Sequence, residues 1–226
     1  RAGAVPGQEG GDGGLVWGVK PGTELQVRAV VEVGDVRHTS ETLTVTTGYP
    51  PNHLPEAEVT LFGDGPSAGG YLITSVITEP SVAVVLDRDG DYVWWHTLED
   101  ELDSVLISRA RLSLDGRTMM YLASTTPTGG GTSQVLVRLP YNGAEVIVTE
   151  VPGAHHDFAE REDGKLALIA LDGRDVEGEL IQGDQIIEQD PMGTQTTIWS
   201  AWDHLEYDPD EPAPVGTGWT HANALD

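Results

Sequence analysis

Two short histidine motifs hold most of the chemistry available in this sequence. His155-His156-Asp157-Phe158 sets two imidazoles side by side at the start of an alternating run, and Trp219-Thr220-His221-Ala222-Asn223 puts an imidazole and a carboxamide two residues apart. In an extended strand, residues two apart share a face. His221 and Asn223 are therefore predicted to point together, a donor pair suited to holding an anionic oxygen. The same alternation sends His155 and Asp157 one way and His156 and Phe158 the other, with a bend able to free His156 at the strand's mouth if Phe158 packs inward. On spacing alone a structural or surface role is the favoured reading of both motifs. A mononuclear metal centre lacks a third ligand at a recognisable spacing.

Other chemistry-bearing residues are less organised. Asp87, Asp89 and Asp91 imitate the opening of a calcium loop, but Tyr92 stands at its sixth position and Leu98 at its twelfth, where glycine and glutamate belong. A hairpin turn is the simpler reading. His96 and His204 follow tryptophans and read as blade-end packing or surface residues, His38 has no chemical neighbour, and His53 reads as linker. Arg109 and Arg111 lie in a strand-like stretch, and sequence does not rank either as an anion ligand. The absence of cysteine excludes disulfides, thiol catalysis and cysteine-ligated metals.

The chain carries 37 acidic against 12 basic residues, a formal charge of −25, with Lys20 and Lys165 its only lysines. Such a field repels a phosphate backbone and argues against nucleic-acid binding. It suits a solvated acidic surface, or one that collects calcium as in a calcium-stabilised carbohydrate binder. No apolar run reaches the roughly 20 residues of a membrane helix. The first residue is Arg1, so any leader is expected outside this sequence.

The elements that must position these residues read as strands almost throughout. Residues 1–14, rich in glycine, read as a flexible linker. Residues 24–33 and 42–47 alternate about a Gly34-Asp35 turn, which predicts a hairpin of half-buried strands. Val19 to Arg28 and Ser40 to Thr47 resemble the last two strands of a fibronectin type III domain, although Leu25 occupies the usual place of its corner tyrosine. That assigns a β-sandwich fragment to residues 15–48 and a linker to residues 49–55.

From residue 56 onward the chain repeats itself. Asp89-Gly90, Asn142-Gly143 and Met192-Gly193 mark one hairpin class, Asp115-Gly116 and Asp163-Gly164 a second, and each class recurs at about 50 residues. Two hairpins per period make a four-stranded blade, so residues 56–226 supply about three blades of an all-β, partial β-propeller, where closed rings need roughly four to eight. Further sequence or another chain is expected to complete the ring, because an open half exposes apolar faces and strand edges.

Four stretches, in order, resemble the bacterial arylsulfotransferases: Gly69-Gly70-Tyr71-Leu72-Ile73-Thr74, Val151-Pro152-Gly153-Ala154-His155-His156-Asp157-Phe158, Ile198-Trp199-Ser200-Ala201-Trp202-Asp203-His204-Leu205, and Trp219 through Asp226. The resemblance implies a six-bladed propeller that moves a sulfuryl group from an aryl sulfate donor to a phenolic acceptor through a sulfated histidine. It assigns His156, His221 and Asn223 to cradling sulfate oxygens or protonating the departing phenolate, and His155 to substrate binding as the alternative to His156. The nucleophilic histidine and a sulfate-binding arginine are expected beyond Asp226, at least in part, so this chain alone is expected to be inactive. No metal or organic cofactor is called for. The chain is expected outside the cytoplasm, in the periplasm, at the surface or secreted, where a homo-oligomer is compatible with the reading. The competing reading is a non-catalytic extracellular propeller serving assembly or binding.

Overall fold

The computed structural model describes residues 16–60, 70–98, 102–127, 132–140, 145–209 and 218–225. The expected linker at residues 1–14 and the Asn142-Gly143 turn lie outside the described residues. The chain's regular structure is almost entirely β, as the alternating patterns require, and the chain forms two compact units. One comprises Arg1–Thr74 with Val84–His96, the other Ser75–Ala83 with Thr97–Asp226.

Strands β1 (Glu24–Val27), β2 (Val30–Val33), β3 (Val36–Thr39) and β4 (Leu43–Thr46) make one bent ribbon, β1 pairing with β4 and β2 with β3, both antiparallel. Gly34 closes its tip at φ +60°, and at the bend Ser40 donates its amide to the Ala29 carbonyl at 3.0 Å. The expectation of half-buried strands fails for β2 and β3, which are exposed along their whole length, Val31 at 57% and Val33 at 64%. Among the described residues nothing covers the β2–β3 end of the ribbon, so alternation there has nothing to bury against.

Strands β5 (Leu72–Val76), β6 (Val82–Leu86) and β7 (Tyr92–His96) form a three-stranded sheet in that order. The Asp87–Asp91 segment between β6 and β7 is a hairpin turn. Gly90 donates to the Asp87 carbonyl at 3.1 Å, and the Asp87 carboxylate accepts the amides of Asp89 and Asp91. Asp87, Asp89 and Asp91 lie close enough together to share a cation, and the ammonium of Lys20 stands among them at 3.5, 2.8 and 2.5 Å.

Two four-stranded antiparallel meanders follow. The first runs β8 (Leu102–Leu112), β9 (Thr118–Pro127), β10 (Ser133–Pro140) and β11 (Ile147–Glu150), the second β12 (Ala154–Glu160), β13 (Leu166–Val176), β14 (Glu179–Gln189) and β15 (Gln195–Ser200). Each is the blade that the repeat predicts, and the turns at Gly116, Gly164 and Gly193 all take positive φ. Met120, Leu122 and Leu136 of the first sheet share one core with Phe158, Leu168, Ala170 and Ile187 of the second. Residues 119–123 are buried without a break, the pattern of a strand covered on both faces. Phe158 is fully buried, and its removal is expected to cost about 3–5 kcal/mol. A single helical turn, α1 (Ala201–His204), follows β15 under a Ser200 cap.

Candidate functional site

The site grows from two departures from regular sheet. Val151-Pro152-Gly153-Ala154 leads into β12 by a turn whose first central residue is proline and whose second, Gly153, takes φ +77°, closed by the Ala154 amide on the Val151 carbonyl at 3.0 Å. Immediately afterwards the ladder loses register. Ala154 pairs with Ala170 and Phe158 with Leu168, so His155, His156 and Asp157 together stand opposite Ile169 alone. His156 absorbs the excess in the left-handed region at φ +56°, a conformation that costs a non-glycine residue about 1–2 kcal/mol. This bulge overrides the alternation that separates the two histidines in a regular strand. Phe158 keeps its place in the core, and the rings of His155 and His156 meet edge to face with centroids 5.0 Å apart.

The second departure is at the edge of β14. Strand β15 pairs with β14 only between Gln185 and Gln189, leaving the edge at Gln182–Asp184 open. Residues 219–222 occupy it. Trp219 donates its amide to the Gln182 carbonyl at 2.6 Å, the Asp184 amide donates to Thr220 Oγ1 at 2.8 Å, and Ala222 donates to Asp184 Oδ2 at 2.7 Å. The segment is irregular rather than the strand expected at His221 and Asn223. It carries His221 to within 4.7 Å of His156 and 6.4 Å of His155, centroid to centroid. Asn223 turns back instead, donating its side-chain amide to the His221 carbonyl at 2.9 Å.

Gly183 explains why the edge accepts this segment so closely. A Cβ there lies 2.8 Å from Trp202 Nε1 and 3.3 Å from Trp219, and its φ is not positive, so proximity rather than backbone conformation calls for glycine. Trp202 and Trp219 pack at 4.6 Å with Tyr207 against both, and the Trp202 indole donates to the Asp172 carbonyl at 2.8 Å. Strand alternation puts this aromatic group on the face of β14 opposite Asp184.

Two buried carboxylates stand behind the histidines. Asp157, 1% exposed, accepts Arg111 at 2.8 and 3.0 Å from its two oxygens, the Phe158 amide at 2.8 Å and the Leu225 amide at 3.1 Å, with Arg109 Nε at 3.4 Å. Asp184, 2% exposed, accepts Ala222 and faces His155 Nε2 at 3.0 Å. That last approach is too oblique for a hydrogen bond, so His155 Nε2 and Asp184 Oδ1 are close without being bonded. Burial lowers the pKa of His155, partly opposed by Asp184, and burial together with His221 lowers that of His156. Both rings are thus favoured as neutral imidazoles near pH 7, each with one N–H to donate and one lone pair. Half-buried imidazoles beside an exposed third, His221, can hold the oxygens of an anion.

The arylsulfotransferase (ASST) family model matches residues 63–226, which include both histidine motifs, the bulge and the open edge. The chain belongs to the arylsulfotransferase family. No curated protein matches it individually.

Of the family stretches quoted from the sequence, Gly69 and Asp226 lie outside the described residues. His155, His156 and His221 are brought together within this arylsulfotransferase blade, and Asn223 braces the segment that bears His221. His96 stacks on Trp94 and His204 on Trp199. Sequence reading passed over Asp184, Gly183 and Thr220. A glycine inside a strand pattern, followed by aspartate, was the available signal, since strand-interior glycine marks close approach. Arg109 and Arg111, unranked by sequence, both serve Asp157.

Proposed function

We propose that this arylsulfotransferase chain supplies the sulfate-holding side of a sulfuryl-transfer centre acting on an aryl sulfate donor and a phenolic acceptor. In this reading His156 and His221 donate N–H bonds to the sulfate oxygens as negative charge builds on them, and one of the two protonates the leaving phenolate. His155 backs the pair and Asn223 fixes the backbone at His221. The transfer itself runs through a nucleophilic histidine. Its nitrogen forms an N–S bond as the aryl O–S bond breaks, and an acceptor phenol, giving up its proton to an imidazole, then takes the sulfuryl group by the reverse step. In this reading that nucleophile and a sulfate-binding arginine come, at least in part, with the remaining blades. The remaining blades, from the same or another chain, complete the ring, and the protein works outside the cytoplasm.

The convergence of three imidazoles from two separate motifs, both inside the family match, carries this reading. Its test is transfer from a chromogenic aryl sulfate to a phenol by the chain extended through its remaining blades. Transfer is expected, with His156→Gln and His221→Gln each lowering kcat by roughly 100-fold or more. Well-folded extended protein that transfers nothing at any pH or salt would leave the non-catalytic platform, for which the exposed valine-rich ribbon of β2 and β3 speaks.

A further inference from the structure

Asp184 lies at the crossing of every element that builds the histidine group, yet no part of the transfer reading uses it. It sits on β14 opposite Leu171 of β13, with its side chain almost wholly buried. A buried carboxylate needs partners, and among the described residues Asp184 accepts the Ala222 amide at Oδ2, from the residue next to His221. Its own amide holds Thr220 Oγ1, in the residue on the other side of His221. Its remaining oxygen, Oδ1, has no hydrogen bond and faces a His155 Nε2 that has none either, 3.0 Å away. Two lone pairs at that distance repel. The contact is favourable only when Nε2 carries the proton, and a small rotation of the ring then brings the N–H onto Oδ1.

We propose that Asp184 is a positioning residue that holds His155 as its Nε2–H tautomer while fixing the chain path on both sides of His221. Neutral His155 then keeps its lone pair on Nδ1. The groups that face this ring are Asp184 from β14, His156 from its own strand and His221 from the edge segment. The carboxylate favours a proton on His155, and the two imidazoles oppose a second positive charge beside them. One buried carboxylate therefore sets the hydrogen-bonding sense of the histidine group from both of its sides. The catalytic consequence rests on the sulfuryl-transfer reading, but the placement does not.

The test is long-range 1H–15N correlation on the chain labelled with 15N-histidine, which reads tautomers without turnover. In the parent, His155 is expected as Nε2–H above pH 7.5. An Nδ1–H tautomer there overturns the proposal before any variant is made. Asp184→Asn keeps the shape and can keep an oxygen on Ala222 while turning its NH2 group toward Nε2. His155 is expected to switch to Nδ1–H and to protonate at lower pH, whereas an unchanged tautomer and titration would refute the role. Asp184→Ala removes the Ala222 acceptor, and exchange of the Ala222 amide is expected to quicken by about tenfold or more. Unchanged exchange would overturn the second half of the proposal. If the unsubstituted extended protein transfers nothing while these tautomer results hold, the enzymatic reading fails and the positioning role stands.

Discussion

Gly183→Ala adds one methyl group at the contact on which the His221 segment rests, and its effect can be worked out from the geometry. The new Cβ meets Trp202 Nε1 at 2.8 Å, inside any tolerable carbon–nitrogen contact, and Trp202 Cε2 and Trp219 Cε3 at 3.3 Å. Trp202 cannot yield freely, because its indole N–H is bonded to the Asp172 carbonyl and its ring lies under Arg174 and against Trp219. Overpacking of this kind costs about 1–3 kcal/mol and losing the indole bond about 1 kcal/mol more. Relief of glycine's backbone freedom returns only about 0.5–1 kcal/mol. The net loss of about 1–3.5 kcal/mol corresponds to a melting point lower by about 2–14 °C for a chain of this length. Gly173→Ala is the control, since the same substitution on neighbouring β13 meets only Leu180, an exposed side chain able to move, at 3.2 Å. Calorimetry and tryptophan emission on the two variants give the answer. The expected result is a lower melting point and red-shifted emission for Gly183→Ala alone. A Gly183→Ala protein that melts within about 2 °C of the parent, with unchanged emission, refutes the claim that close approach demands this glycine.

Three further outcomes follow from the same geometry. Asp157→Ala strands Arg111 and the amides of Phe158 and Leu225, and is expected to lower stability in urea by about 3 kcal/mol, whereas a loss under about 1 kcal/mol contradicts its role as a shared acceptor. His155 and His156 have folded pKa values below the usual 6.5, so the unfolded chain takes up protons first as pH falls. Their contribution is complete above pH 6.5 and is lost from there down to the folded pKa values, so the melting point should drop as the pH falls below about 6.5. A drop of equal size in a His155→Gln/His156→Gln double variant would assign it elsewhere. Finally, an anionic aryl sulfate approaches a chain of formal charge −25, so KM in the extended protein should fall as salt rises from about 0.01 to 0.15 M and the Debye length shrinks from about 30 to 8 Å; a KM that rises with salt refutes net repulsion.

The blades were legible because local chemistry and tertiary packing agree in them. The glycine turns at positions 90, 116, 164 and 193 take positive φ, and the strands they join pair as the repeat implies. The site was legible by residue type but not by geometry. Alternation separates His155 from His156, and the bulge that unites them leaves no mark in the sequence beyond Pro152-Gly153 just upstream. Nor does the His221 segment follow a strand period, because its backbone bonds to one edge of β14 and to two carboxylates rather than to a regular ladder. The first ribbon fails differently: alternation there is clear, and among the described residues the layer it anticipates is missing.

These departures tie three of the family-like stretches of this chain to one another. The segment bearing His221 is treated by the sheet much as a bound peptide would be, with the amides of Trp219, Ala222 and Leu225 each given an acceptor. Those acceptors come from β14 and from Asp157 in the His155-His156 stretch, so that stretch both presents imidazoles and receives the chain that presents the third. Ile198–Leu205 contributes no side chain to the histidine group. Its Ser200 caps α1 and bonds to Asp172, and its Trp202, held by that residue's carbonyl, lies against Trp219 on the far face of β14. Histidine, clamp and receiving edge thus depend on one another: an imidazole on an irregular segment has a fixed position only if the regular blade beside it is shaped to bind that segment.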